Sequence, residues 1–277
     1  MVTFGFNSPD QGKTLEILAQ HLFEPGIFSW LEVGSWQSEL VDLMKVVEKV
    51  YARYPIHLCV HFDFVDINYA SLVPEIRFAA LQVLRRNLRF AIAIGAERVV
   101  MHGGDIGWYD YLKVGHPLYE EAKSEFDQRR ANYIPYMIES IATIEQEVRD
   151  AGMELLLENM YYPWELLNSP DEMADVVLNQ LDRKVGVALD FGHSLVSGYD
   201  PDEYVKALGG AIHHTHIHDN DGLYDAHLPL GAGNLKLLPA IPRLINANPN
   251  VTLLLEMPPR TLDVYAEGRQ RLLDAME

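Results

Sequence analysis

The sequence predicts an α/β domain in which eight parallel strands alternate with eight helices and close into a (β/α)8 barrel, the TIM barrel architecture. Strand-like and helix-like runs alternate over residues 1–277 without a linker or low-complexity segment, and this alternation is typical of parallel strands joined by helical crossovers. The length of 277 residues fits one such barrel, which typically has ~250 residues. A doubly wound open sheet is the alternative. The first strand lacks a following G-x-G-x-x-G motif, which disfavours the dinucleotide-binding form of that sheet.

The predicted strands are short apolar runs, and most of them end at a polar residue or a glycine. In chain order they are Val2–Phe6, Ile27–Val33, Ile56–His61, Arg98–His102, Met153–Glu158, Lys184–Asp190, a run that begins at Ala211, and Val251–Glu256. The seventh run contains four histidines, and residues two apart on a strand point to the same face. His214, His216 and His218 are therefore expected to share one face.

The predicted helices carry apolar residues three and four positions apart. In chain order they are a helix capped by Asp10, Leu40–Tyr54, Pro74–Ile94, Tyr119–Asp150, a helix opened by Ser169 and Pro170, Pro201–Leu208, Leu235–Asn246 and Pro258–Met276. Gly95 is expected to end the third helix. Pro135 is expected to break or kink the fourth, because proline cannot donate the helical hydrogen bond.

The composition restricts the classes of partner. The chain has 40 acidic and 22 basic residues and a formal net charge of −18. That charge repels nucleic acids and anionic membranes at long range and favours cations. The N-terminal sequence MVTFGFN has no basic segment followed by a long apolar run, so a cytoplasmic location is expected. The lone Cys59 cannot form an internal disulfide and is expected to be a buried, inert thiol.

Acidic and imidazole side chains recur where the predicted strands end. In a barrel of this kind the chemistry lies at the carboxyl ends of the strands. The residues found there, or on the loops just beyond, are His61, His102, Glu158, Asp190, His193, His216, Asp225, His227 and Glu256. The basic residues in the same predicted loops are Lys13, Lys113 and Arg260. Three bases cannot neutralise this many acids, so bound divalent cations are the better explanation.

The order of these residues resembles the xylose isomerase-like barrel superfamily, which includes sugar isomerases, sugar epimerases and the endonuclease IV class of repair enzymes. The resemblance rests on HFDFVDIN, VVMHGGD, LLLENM, ALDFGH, HIHDNDGLYDAHLPLGAGNL and LLLEM, which span most of the chain. The sugar-converting branch implies one divalent ion, Mn²⁺ or Zn²⁺ with Co²⁺ and Fe²⁺ also compatible. Its implied ligands are Glu158, Asp190, His216 and Glu256.

The same branch implies that Glu158 and Glu256 act as an acid/base pair around an enediolate, with His193 contacting substrate oxygens. The sequence departs from that pattern at Asp225-Ala226-His227, where many such enzymes have an arginine. The endonuclease IV branch implies a three-metal, zinc-containing cluster for phosphodiester cleavage. All nine of its ligand types have a match, because His61, His102, His193, Asp225 and His227 join the four residues named above.

The sequence therefore favours a metal-dependent isomerase or epimerase that acts on a small, sugar-like polyhydroxy carbonyl compound. The alternative is an endonuclease IV-like phosphodiester hydrolase, which the scarcity of Lys and Arg in the predicted loops disfavours. Lyases, dehydratases and a non-catalytic sugar-binding barrel stay open. Oligomeric state is not determined by the sequence, and a homo-oligomer is one of the options.

Overall fold

Eight parallel strands form a closed barrel in which every strand pairs with its two neighbours in the order of the sequence, β1 to β8. The structure is a computed structural model that describes residues 2–8, 13–35, 40–106, 119–258 and 263–277. The strands are β1 Thr3–Ser8, β2 Trp30–Gly34, β3 His57–His61, β4 Arg98–Met101, β5 Glu154–Glu158, β6 Gly186–Asp190, β7 Ile212–Ile217 and β8 Thr252–Leu255. The pairing of β8 with β1 closes the barrel and confirms the predicted fold class.

Helices connect the strands and cover the outside of the barrel. In the described residues they are α1 Lys13–Phe23, α2 Leu40–Arg53, α3 Pro74–Ile94, α4 Tyr119–Asp150, α5 Pro170–Ala174, α6 Phe191–Val196, α7 Pro201–Leu208, α8 Ala240–Ala247 and α9 Asp263–Asp274. A π-helical stretch, Asp175–Gln180, extends α5. The predicted cap at Asp10 lies outside the described residues, as do four residues of the predicted last helix, 259–262.

Three expectations about the helices differ from the structure. Of the break or kink expected at Pro135, the break is wrong, because α4 continues through this residue, and the kink stays a prediction. The short helix α6 was not predicted, and it begins where the Asp190 side chain accepts a hydrogen bond from the backbone N–H of His193 at 2.6 Å. Helix α8 begins at Ala240, five residues after Leu235, where the sequence predicted the start of this helix. The preceding segment is held as a loop, since Asp219 accepts from the backbone N–H of Leu235 at 2.8 Å.

Two apolar cores follow from the alternation of side chains along the strands. In β5, Leu155 and Leu157 point outward and pack with the helices, whereas Leu156 points into the barrel. The inward residues of neighbouring strands form a small separate cluster of Trp30, Cys59, Val100, Leu156 and Ala188. Cys59 is buried as expected, and burial raises the pKa of its thiol well above the usual range. This inner cluster is the floor on which the next inward layer rests.

Candidate metal centre

The inward layer above that floor consists of the predicted site residues. Moving two positions along each strand leads from Cys59 to His61, from Val100 to His102 and from Leu156 to Glu158. The same step leads to Asp190, His216 and Glu256 on the last three strands. Because residues two apart share a face, six strands deliver acidic or imidazole groups to one end of the barrel interior. The structure thus brings together the residues that the sequence placed at the strand ends.

Glu158 lies at the centre of this layer and is surrounded by imidazoles. Its Oε2 lies 3.0 Å from Nε2 of His61 and 3.3 Å from Nε2 of His102. Its Oε1 lies 3.0 Å from Nδ1 of His216 and 3.4 Å from Nδ1 of His193. Burial alone would raise the pKa of the Glu158 carboxyl, but the nearby imidazoles, His216 first, hold it well below its usual range. A carboxylate with four nitrogen neighbours is arranged as a shared ligand.

The histidines around Glu158 differ in how firmly they hold a proton. Burial lowers the pKa of His102 to about 4 despite its contact with Glu158. Burial also opposes protonation of His61, yet Glu158 raises the pKa of that imidazole. For His216, the carboxylates of Glu32, Glu256 and Glu158 outweigh burial and raise the pKa well above its usual range. The nearby carboxylates thus favour protonation of His61 and His216, whereas His102 favours the neutral form.

A second set of contacts joins Asp190 to the long loop after β7. Nε2 of His218 lies 3.2 Å from Oδ2 of Asp190 and 3.3 Å from Oδ1 of Asp225. Asp225 also accepts a hydrogen bond from Nε2 of His227 at 2.7 Å. That partner, together with Glu256, raises the pKa of His227 to about 9 against the effect of burial. His193 completes this set, with Nε2 3.5 Å from Oδ2 of Asp225.

Asn159, which follows β5, holds Asp190 in place through hydrogen bonds to its backbone. The Asn159 side chain accepts from the backbone N–H of Asp190 at 2.7 Å and donates to its backbone carbonyl at 2.9 Å. The backbone carbonyl of Asn159 lies 2.8 Å from Nδ1 of His193. One asparagine therefore orients two of the candidate ligands, a device that commonly supports metal sites.

These contacts form four overlapping groups of candidate ligands, and within each group the ligand atoms lie within 4.8 Å of one another. The groups are His61–His102–Glu158, Glu158–Asp190–His216–Glu256, Asp190–His193–His218 and His218–Asp225–His227. Imidazole and carboxylate are donors that suit Zn²⁺, Mn²⁺, Fe²⁺ and Co²⁺. The residues present therefore fit a divalent ion at the second group and further ions on either side of it.

No lysine or arginine in the described residues forms an ion pair with the carboxylates of this layer, whose ionic partners there are histidines. Lys113 and Arg260, which the sequence placed in the same loops, lie outside the described residues, and so does the side chain of Lys13. Within the described part of the chain, the acids thus lack Lys and Arg partners, as the sequence suggested, and the binding of divalent cations there stays a prediction.

Three buried residues of the barrel interior, Glu32, His214 and His218, were not among the predicted site residues. His218 was expected to share a face with His216, yet it had not been predicted as a ligand. Glu32 lies within β2, and its Oε2 accepts from Nε2 of His214 at 3.1 Å and from Nε2 of His216 at 3.2 Å. A signal was present in the sequence, because Glu32 is the one charged residue in the apolar run of the second strand, Trp30–Gly34.

A small cavity adjoins the layer on the side of His102. Its lining includes Asp63, Phe64, His102 and Glu165. Burial raises the pKa of the Glu165 carboxyl to about 7, although backbone N–H groups of Tyr162 and Tyr161 oppose the shift. Polar groups next to one aromatic face suit a small hydroxylated ligand.

The described residues include no helix long and apolar enough to cross a membrane. The family model described as a xylose isomerase-like TIM barrel matches residues 32–276. An uncharacterized protein of Methanocaldococcus jannaschii is 27% identical over 239 residues, which cover 84% of this chain and 74% of that relative. The family-model match over residues 32–276 confirms the predicted resemblance to the xylose isomerase-like barrel superfamily.

Two solved structures have the same architecture. A D-tagatose 3-epimerase-like protein has a TM-score of 0.75 and 22% identity, with 99% of this chain and 97% of that chain covered. An L-ribulose 3-epimerase has a TM-score of 0.76 and 15% identity, with 100% and 95% covered. Together with the sequence match over residues 32–276, the barrel assigns this chain to the xylose isomerase-like TIM barrel family.

Proposed function

We propose that the protein is a divalent-metal-dependent isomerase or epimerase of a small polyhydroxylated carbonyl compound. The observation that carries the proposal is the ligand group of Glu158, Asp190, His216 and Glu256, whose ligand atoms lie within 4.8 Å of one another and include two glutamates. The sugar epimerases among the structural neighbours support the same class of reaction. A bound divalent ion would supply the Lewis acidity that polarises a carbonyl and an adjacent hydroxyl oxygen.

The two glutamates divide the proton transfers in this proposal. One removes the proton from the carbon beside the carbonyl, and the other returns a proton to that carbon or its neighbour. Glu256 is the better first base, since its side chain is 18% exposed, whereas that of Glu158 is 2% exposed. Asn7 orients Glu256 by donating to its Oε1 at 2.9 Å. His193, buried beside Glu158, is assigned to the substrate oxygens.

Proton exchange tests this assignment most sharply. Protein loaded with Mn²⁺, Co²⁺ or Zn²⁺ is incubated in D2O with a panel of ketoses and aldoses, and deuterium incorporation at the carbon beside the carbonyl is followed by NMR. The wild-type protein should exchange that proton with at least one sugar, whereas Glu256→Gln and Glu158→Gln should not. Exchange that persists in both variants would contradict the acid/base roles of the two glutamates.

A second candidate, phosphodiester hydrolysis at a multinuclear metal site, is favoured by one specific observation. Glu158 belongs to two of the ligand groups, and Asp190 and His218 also belong to two each. Bridging carboxylates of this kind suit clusters that activate water and steady a leaving oxygen. The formal net charge of −18 opposes binding to a polyanion.

Metal stoichiometry and substrate choice separate the two candidates. One tightly bound ion per chain with sugar proton exchange supports the isomerase. About three ions per chain with nicking of abasic DNA at physiological salt supports the hydrolase. Asp225→Asn is the informative variant, because Asp225 lies in an outer ligand group and outside the group of Glu158 and Glu256. It should spare sugar exchange if one ion is enough and abolish nicking if the cluster is required.

A further inference from the structure

Glu32 is a buried carboxylate one layer below the candidate metal ligands. It lies in the middle of β2, points into the barrel and is 0% exposed. An isolated carboxylate in such a position would be strongly unfavourable. No lysine or arginine of the described residues forms an ion pair with it, and its ionic partners are the imidazoles of His214 and His216. These two imidazoles are therefore the groups that stabilise the negative charge of Glu32.

The contact between Glu32 and His216 fixes which ring nitrogen of His216 faces the site. Nε2 of His216 lies 3.0 Å from Oε1 and 3.2 Å from Oε2 of Glu32. A carboxylate can only accept a hydrogen bond, so Nε2 carries a proton, and Nδ1 is the nitrogen that would give up its own proton to an ion. Nδ1, on the other side of the ring, lies 3.0 Å from Glu158 and 3.3 Å from Glu256. Nδ1 is the atom that belongs to the ligand group.

This arrangement has the form in which a carboxylate supports a metal-binding histidine. The ring nitrogen that does not bind the ion donates to the carboxylate, which fixes the tautomer and the ring orientation and makes the imidazole a stronger donor. Neighbouring groups hold the Glu32 carboxylate in turn, with Asn7 donating at 3.4 Å and His214 at 3.1 Å. The Glu32 carboxylate is thus fixed on several sides and belongs to the barrel floor.

We propose that Glu32 is a positioning residue, which holds His216 with Nε2–H toward the barrel floor and Nδ1 directed at a divalent ion. The inference rests on the proposed metal centre, but it is independent of whether the reaction is isomerisation or hydrolysis. Glu32 itself touches neither the ion nor the substrate. Its role is to keep one ligand in the tautomer and orientation that binding requires.

A competing interpretation makes Glu32 a ligand in its own right. Ligand atoms of Glu32, Cys59 and His214 also lie within 4.8 Å of one another. A metal bound there would include a thiolate, which gives Co²⁺ an intense sulfur-to-metal charge-transfer absorption. The positioning role predicts that Co²⁺-loaded wild-type protein lacks this band. A strong band that disappears in Cys59→Ala would overturn the proposal.

The direct test needs no substitution at Glu32. In Zn²⁺-loaded protein, long-range ¹H–¹⁵N correlation spectra report which nitrogen of each histidine carries a proton, and His216→Asn identifies the His216 signals. The expected result is a protonated Nε2 and a metal-bound Nδ1. A proton on Nδ1, or a metal-bound Nε2, would overturn the proposal.

Variants then test the energetic consequence. Glu32→Gln preserves the shape of the side chain and removes its charge, and it should weaken Zn²⁺ binding by ~10–100-fold. Cys59→Ala is the matched control, because it alters a fully buried side chain next to Glu32 and removes neither the carboxylate nor the imidazole of the Glu32–His216 pair. The Zn²⁺ affinity of Cys59→Ala should stay within about threefold of wild type, a much smaller change than the one expected for Glu32→Gln.

The outcomes separate this inference from the metal centre. If His216→Ala leaves Zn²⁺ affinity unchanged, the proposed centre is wrong. If His216→Ala abolishes tight binding while Glu32→Gln has no more effect than Cys59→Ala, only the role of Glu32 is wrong. Metal affinity and proton position are measured without a substrate, so neither depends on the reaction.

Discussion

Nδ1 of His216 lies 3.0 Å from Oε1 of Glu158, although 58 residues separate them in the chain. The two residues come from β7 and β5, which do not pair because β6 lies between them. They meet because both side chains point into the barrel at its carboxyl end. This contact across the interior shows how the closed sheet concentrates ligands that are scattered in the sequence.

Loss of the shared carboxylate should have the largest effect on metal binding. Glu158→Gln removes the charge of a carboxylate that lies within 3.4 Å of four imidazole nitrogens, and it takes a charged ligand from two groups. We expect Zn²⁺ affinity to fall by more than the ~10–100-fold typical of an outer-shell residue. Competition with a chromophoric chelator measures the affinity. Glu147→Gln, which changes a carboxylate paired with Arg85 on the outer surface, should behave as wild type.

Metal binding should release protons at pH 7. Nearby carboxylates outweigh burial and raise the pKa of His216 and His193 well above the usual range, and that of His227 to about 9. These shifts favour the protonated imidazoles at pH 7 in the metal-free protein, and an ion must displace protons to bind. Affinity should therefore increase as the pH rises from 6 toward 9.

Calorimetry in buffers of different ionisation enthalpy measures this linkage. The apparent binding enthalpy at pH 7 should change with the buffer in proportion to the protons released. A binding enthalpy that is the same in every buffer would contradict the protonated state of these imidazoles. His227→Ala should reduce the number of protons released.

The close approach of α6 to the loop after β7 predicts a sensitive glycine. A Cβ on Gly192 would lie 2.0 Å from Cε1 of His218, well inside van der Waals contact. Gly192→Ala should destabilise the protein by ~1–3 kcal/mol through overpacking, and displacement of His218 should weaken metal binding. Gly210→Ala is the control, since its nearest neighbour would be the carbonyl of Ala247 at 3.4 Å. Urea unfolding and chelator competition measure the two effects, and equal stability of both variants would contradict the packing.

Asp219 should control the loop that carries Asp225 and His227. Its carboxylate accepts from the backbone N–H groups of Gly231, Gly233 and Leu235. Asp219→Asn places an amide N–H against one or more of these donors and should cost ~2 kcal/mol, the scale of a hydrogen bond to a charged group.

The same substitution should lower occupancy of the outer ligand group and spare the group of Glu158 and Glu256. Asp221→Asn, an exposed neighbour that accepts from the backbone N–H of Leu223, should change little. Thermal unfolding and metal stoichiometry measure the difference. Unchanged stability of Asp219→Asn would contradict its role in the loop.

The alternation of apolar runs was enough to predict the barrel, because each strand and helix has a periodicity of its own. The bounds of α3, α4 and α7 agree with the expected ones. The start of α8 could not be predicted from periodicity, since the segment before it is held by a hydrogen bond that Asp219 accepts from the backbone N–H of Leu235, 16 residues later. The helical continuity of α4 through Pro135 was missed for a similar reason: local sequence does not report how the surrounding structure supports a proline.

The ligands at strand ends were predictable because a barrel directs those positions to one place. Glu32 was harder to identify, since it lies in the middle of its strand, where side chains are expected to fill the floor. Its partner His214 was expected on the same face as His216, but the contact between β2 and β7 appears only when the sheet is closed. Residues that support a site from below are therefore less visible in sequence than residues at the rim.

The most direct test of the metal centre is an anomalous diffraction map from crystals soaked with Mn²⁺ or Zn²⁺. We expect a peak within bonding distance of Glu158, Asp190, His216 and Glu256, with Nδ1 of His216 as the bound nitrogen. A map with no peak at this position, although the protein binds the ion elsewhere, would contradict it.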